Sequence, residues 1–141
     1  MKCASGILLL LAVGLPAIQT PSVPGYRLTV RVRNAPENKG AVRVTIYGSE
    51  ADFLRKPLRS QSTQAKGTDA VIELDRLPGG EYAVAAYQDV NGNGKLDRNF
   101  IGIPKEPNGV SNGAKGKFGP PKWRDAKFQL SADGEKEIVL E

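Results

Sequence analysis

The sequence predicts an all-β fold: a single antiparallel β-sandwich of about seven strands, with one long loop late in the chain. Three observations carry this. Short stretches alternate apolar and polar residues with a period of two, the mark of half-buried strands. Clusters of Gly, Pro, Asn and Asp separate those stretches at the spacing of turns. Almost nothing in the chain reads as helix, so the layers must be sheet on sheet.

The chain opens with one positive charge, Lys2, and an unbroken apolar run from Ile7 to Leu15 that ends near Pro16 and Ala17. This reads as a secretory signal peptide over residues 1–20, cut after Ala17 or nearer Thr20. The run is shorter than the roughly 20 residues a membrane span needs, and no second one follows. No transmembrane segment is expected after the signal is removed, and the protein is expected in the periplasm or secreted. An N-terminal core element is the competing reading, against which the stretch shows neither helical nor strand periodicity. A lipoprotein reading fits poorly, because Cys3 precedes the apolar run instead of following it.

Removal of the signal leaves a chain of about 120 residues, enough for one core. The sandwich domain is placed at residues 26–141. Cys3 is the only cysteine and would leave with the signal, so no disulfide is available. The chain contains no histidine. The usual zinc and iron ligands and the usual nucleophile–base pairs are therefore missing, which excludes most hydrolase mechanisms. The formal net charge of +5 suits contact with anionic surfaces and identifies no particular partner. Nucleic acid is not expected as a partner of an exported chain.

Leu28, Val30 and Val32 alternate with Arg27, Thr29, Arg31 and Arg33 to give a first strand. Val42, Val44 and Ile46 alternate with Arg43 and Thr45 to give a second, and the turn cluster at 34–40 suggests that the two form a hairpin. Residues 49–56 read as a helical turn or a loop, anchored by Phe53 and Leu54. A polar stretch at 60–66 reads as an edge strand, and 70–74 as a better one. Pro78-Gly79 suits a type II turn. Tyr82 then opens a strand to Gln88 whose small residues suggest close packing on both faces, with its hydroxyl placed to make a tyrosine corner or simply to pack in the core. Residues 98–124, rich in Gly and Pro, read as a long connection without regular structure, of the kind that is functional or disordered. A strand restarts over 122–130, where Trp123 is either core or an exposed recognition aromatic. A turn at 131–134 then forms a hairpin with a last strand over 135–141.

The stretch 89–97 carries the strongest motif. Asp89, Asn91, Asn93 and Asp97 place oxygen-bearing side chains at positions one, three, five and nine of a calcium loop, with Gly94 at six and the Lys95 carbonyl at seven. Leu96 at eight would face the core. Phe100 stands where an EF-hand has its bidentate Glu, and flanking helices are missing, so an EF-hand is excluded. Glu106 is the carboxylate expected to complete such a site. With few carboxylates and Lys95 and Arg98 alongside, calcium, the one candidate cofactor, would bind weakly and serve structure. The alternative is a metal-free turn, in which Asn-Gly steps supply positive φ and the two aspartates cap backbone amides.

The run from Leu77-Pro78-Gly79-Gly80-Glu81-Tyr82 through Asp89-x-Asn91-x-Asn93-Gly94-x-x-Asp97 continues into Gly102-Ile103-Pro104-x-Glu106, Ser111-Asn112 and Ala126-Lys127-Phe128. These residues resemble the uncharacterised bacterial domain-of-unknown-function family 2141, over roughly 26–141. The resemblance implies an exported, small all-β domain with an immunoglobulin-like or prealbumin-like sandwich, similar in appearance to prealbumin-like and carboxypeptidase-regulatory-like domains. It implies no activity and supplies no catalytic residues.

Between Lys95 and Lys127 there are eight Lys or Arg against three Asp or Glu. This segment is either a docking face for anionic glycans, lipids or an acidic partner, or a loop kept soluble by its charges. The leading functional expectation is an exported, non-enzymatic binding or accessory module. Its partner would be an unknown envelope component or an anionic surface. The alternatives are a structural subunit of an envelope assembly that pairs through a strand edge, and a carboxylate-only glycan-active enzyme pairing Glu106 with Asp97 or Asp125.

Overall fold

The computed structural model describes residues 9–20 and 24–141. The N-terminal part of the expected signal peptide, including Cys3, lies outside them. Residues 9–20 form no helix or strand, and their apolar side chains are exposed. No helix among the described residues is long and apolar enough to cross a membrane.

Eight strands follow: β1 (Tyr26–Arg33), β2 (Ala41–Tyr47), β3 (Arg59–Thr63), β4 (Asp69–Leu77), β5 (Gly80–Asp89), β6 (Asn108–Val110), β7 (Phe128–Leu130) and β8 (Gly134–Val139). They build two sheets. One has the order β4-β1-β8 and the other β3-β2-β5-β6, with β7 also pairing β5. The alternating residues do what their spacing demands, because side chains two apart share a face. Leu28, Val30 and Val32 from β1 meet Val42, Val44 and Ile46 from β2, Ile72 and Leu74 from β4, and Val84 from β5 in one core between the sheets.

A second, smaller core covers the outer face of β2 and β5. Tyr47 and Ala83 pack there with Phe53, Val110, Trp123 and Ala126. Phe53 meets the Tyr47 ring edge-on at 5.5 Å and the Trp123 ring at 5.7 Å, separations typical of favourable aromatic pairs. The expected small-residue strand is therefore buried on both faces, and Trp123 is core. Tyr82 does form the expected corner, its hydroxyl donating to the Pro78 carbonyl at 2.5 Å.

Several local expectations are corrected. β1 and β2 do not form a hairpin: β1 pairs β4 and β8, whereas β2 pairs β3 and β5. Alternation leaves this open, because a strand buries the same residues whether its successor lies beside it or across the sandwich. β7 and β8 likewise join different sheets, and β8 runs parallel to β1 from Leu28↔Gly134 to Arg33↔Val139. Gly79 does not take the positive φ of a type II turn. A Cβ there would stand 3.3 Å from the Tyr26 ring, so close approach accounts for this glycine.

The expected strand over 122–130 is a short helix, α1 (Trp123–Ala126), followed by β7. Trp123 and Ala126, three apart, share one helical face and both enter the outer core. Nor is 98–124 without structure. It contains β6 and a 3-10 turn at Ser111–Gly113, and Ser111 is fully buried.

Candidate functional site

β5 delivers Asp89 to the end of the sandwich, where three connections converge. Gln88, buried at the end of the strand, donates from Nε2 to the carbonyls of Pro36 at 2.7 Å and Gly40 at 3.1 Å. This ties the β1–β2 connection against the loop. Gly40 has a φ of 109°, and a Cβ there would meet the Asp89 carbonyl at 2.0 Å. Only glycine fits that approach.

The loop then folds on its own side chains. Gly92 and Gly94 take positive φ, 71° and 75°, which lets successive Asx turns form. Asn91 Oδ1 accepts the Asn93 N–H at 3.2 Å, and Asn93 Oδ1 accepts the Lys95 N–H at 3.0 Å. Asp89 Oδ2 accepts the Gly94 N–H at 2.7 Å. Asp97 receives the side-chain amides of Asn93, at 2.8 Å, and of Asn91. These two bonds, with Lys105 and Lys95 nearby, hold its carboxyl below the usual value of 3.8. Leu96 is half-buried and belongs to neither core.

Glu106 arrives from the far side. It is 6% exposed. Its Oε1 accepts the Val90 N–H at 3.0 Å and its Oε2 the Asp97 N–H at 3.1 Å. One buried carboxylate thus holds the amides at the two ends of the loop. The sequence argues for Glu106 joining the loop and offers no sign of this clamping role, which depends on backbone groups.

The structure therefore brings together Asp89, Asn91, Asn93, Lys95, Asp97 and Glu106. Asp125 stands apart on α1, its carboxylate 3.6 Å from Arg124 Nε. One atom in the cluster is unsatisfied. Asp89 is 8% exposed, and its Oδ1 is buried with no hydrogen-bond partner. A charged oxygen in that position is costly unless something cationic or protic meets it. Among the described residues, no group of three or more Asp, Glu, His or Cys side chains gathers as a metal-holding set. The donors here are two aspartates with amide oxygens, a set suited to a hard cation such as calcium at low affinity.

Past Asp97 the chain makes a narrow hairpin. The Lys105 N–H donates to the Asp97 carbonyl at 2.8 Å, Arg98 bridges Pro104, and Asn99 closes the tip. The chain then returns through Pro107, whose carbonyl accepts the Gln88 N–H at 3.0 Å, into β6. Two surface concavities, of about 230 and 410 Å³, lie around the start of β1 and the β7–β8 turn, and no residue of 89–97 lines either of them.

Two further residues fix the segment beyond the hairpin. Ser111 Oγ accepts the Val84 N–H at 3.0 Å and donates to the Ala126 carbonyl at 2.6 Å, joining β5 to α1. Asn112 Nδ2 donates to the carbonyls of Asp125 and Lys127 at 3.2 and 2.8 Å. Ser111-Asn112 appears in the sequence only as part of the family likeness. Nothing in composition or period marks a serine as buried.

Neither a curated protein nor a solved structure matches the chain. A family model described as "Uncharacterized protein conserved in bacteria (DUF2141)" matches residues 30–139. That span takes in both sheets, the loop, Glu106 and the hairpin between them. The chain belongs to this family of uncharacterised bacterial proteins.

Proposed function

We propose that the domain is an exported, non-enzymatic binding or accessory module, in which the loop at 89–97 takes up calcium weakly and for a structural purpose. The observation that carries the calcium reading is Asp89 Oδ1, a buried carboxylate oxygen without a partner, whose fellow oxygen accepts the Gly94 N–H. A divalent cation would meet that oxygen, and Asp97 is the other aspartate of the loop. Asn91 and Asn93 oxygens each keep a lone pair beyond the amide they accept.

The non-enzymatic reading is supported by the engagement of Glu106. The carboxylate is 6% exposed and each oxygen accepts a backbone amide, an environment that suits a structural role better than the solvent-reached acid or base of a glycosidase pair. Export rests on the apolar N-terminal stretch and its leading lysine.

Thermal unfolding tests the calcium. With a dissociation constant near 1 mM, about 10 mM calcium adds roughly 1.4 kcal/mol, or about 5 °C in Tm for a domain of this size. Asp89→Asn keeps an acceptor for the Gly94 N–H but loses the charge, so its Tm should not respond. A wild-type Tm that is the same in calcium and in EDTA would end the calcium reading.

A further inference from the structure

The hairpin that follows the loop presents apolar side chains directly to solvent. Phe100 is 100% exposed, Ile101 65% and Ile103 54%. Much of its backbone, by contrast, is bonded from within. Asn99 Oδ1 accepts the N–H groups of Ile101 at 3.1 Å and Ile103 at 2.9 Å. The Asn99 N–H donates to the Ile103 carbonyl at 2.8 Å, and the Gly102 N–H to the Asn99 carbonyl at 2.9 Å. Gly102 supplies the positive φ, 85°, that the tip requires. Arg98 Nη1 donates to the Gly102 carbonyl at 3.0 Å.

With the amides of Asn99, Ile101, Gly102 and Ile103 paired, the turn leaves water at a smaller penalty than an unpaired backbone would carry in an apolar medium. The charges beside it are mostly positive. Lys95, Arg98 and Lys105 flank the tip against two acids, Asp97 and the buried Glu106. A wholly exposed Phe on a protruding turn has no neighbouring surface with which to form a groove for a folded partner. An apolar tip with a basic collar instead matches an anionic lipid surface, with acyl chains beneath a layer of phosphates.

We propose that residues 99–103 form a membrane-docking tip, which inserts Phe100 and Ile101 into an anionic lipid surface while Lys95, Arg98 and Lys105 meet the headgroup phosphates. This names the surface for the binding module proposed above, and rests on that reading but not on the calcium.

The test uses the full chain with vesicles of phosphatidylcholine mixed with phosphatidylglycerol, and with phosphatidylcholine alone. Each is measured in calcium and in EDTA. Because the apolar residues near the N-terminus are common to wild type and variants, differences between them report the hairpin. Phe100→Ser should weaken partitioning onto the anionic vesicles about tenfold, a change of about 1.4 kcal/mol. Lys105→Gln should weaken it about fivefold, and high salt should act in the same direction. Phe100→Trp reports position, since the native Trp123 is buried. Its emission should shift to the blue on anionic vesicles and be quenched by brominated acyl chains. Equal partitioning of wild type and Phe100→Ser would overturn the proposal, as would a bound Phe100→Trp protein whose emission does not change, or no preference for anionic vesicles. Insertion that persists in EDTA, in a protein whose Tm ignores calcium, would uphold the tip and remove only the calcium.

Discussion

Replacing Glu106 with glutamine separates a clamp from a metal ligand. The carboxylate is buried and accepts two backbone amides, Val90 at 3.0 Å and Asp97 at 3.1 Å. Glutamine keeps one acceptor oxygen and puts an NH₂ group where the other stood, so one backbone N–H then faces a donor. The loss is one hydrogen bond to a charged acceptor together with a buried unpaired amide, about 2–3 kcal/mol. At about 4 °C per kcal/mol for a domain of about 115 residues, the Tm should fall by about 8–12 °C. Because backbone amides cause the effect, it should be the same size in EDTA as in calcium. Urea unfolding should show the same loss as a lower midpoint with an unchanged slope, the sign of altered stability and not of altered compactness. A drop that appears only in calcium would refute the clamp and make Glu106 a ligand. A drop below about 1 kcal/mol in both conditions would mean that water replaces the carboxylate at little cost.

Two further outcomes follow from neighbouring groups. Ser111→Ala leaves the Val84 N–H and the Ala126 carbonyl without their partner, and should cost about 2–4 kcal/mol. Near-UV dichroism from Trp123 should weaken as α1 loosens, and a loss under about 0.5 kcal/mol would show that Ser111 is not what holds α1. Asp97 is held below its ordinary value in the folded state, first by Asn93 and then by Asn91, so the folded protein binds that proton less readily than the unfolded chain. Its contribution to stability is then complete above the unfolded value of 3.8 and lost as pH falls through the lower folded value. Asp97→Asn should flatten unfolding curves compared at about pH 5 and about pH 3, and an unchanged acid profile would count against those two amide bonds.

What the sequence discloses here is periodic or local. Leu28, Val30 and Val32 mark β1, and Val42, Val44 and Ile46 mark β2, because a two-residue period survives any arrangement of neighbours. Gly92 and Gly94 announce positive φ, and Pro78 before Tyr82 announces a corner, since each motif closes within a few residues. Strand partners are another matter. β1 and β8 pair across almost the whole chain, and neither strand's pattern encodes which edge it takes. β6 carries one buried apolar residue, Val110, and is held by pairing with β5 and by the exchange of N–H and carbonyl bonds between Asn108 and Glu141. The roles of Gln88, Glu106 and Ser111 are illegible for a common reason, although Glu106 itself is marked out as a partner of the loop. Each is a polar side chain buried to serve distant backbone groups, and the need for it exists only once those groups are brought together.

Gln88 and Glu106, together with Asp89, bear on how calcium would act. Gln88 holds the β1–β2 connection, Glu106 the two ends of the loop, and Asp89 the Gly94 amide between them. A loop so held is ordered before any cation arrives, so binding would not have to supply the entropy of folding it. Its free energy would go instead to one unsatisfied oxygen. That confines calcium to a modest increment in stability, and it separates the hairpin from the metal. Residues 99–103 are held by Asn99, by the Lys105–Asp97 backbone bond and, through Glu106, by the buried end of β5. None of these contacts uses Asp89 Oδ1. The tip can therefore keep its shape in a protein that has never met calcium, and the clamp at Glu106 governs how firmly Phe100 is presented more than any ion in the loop does.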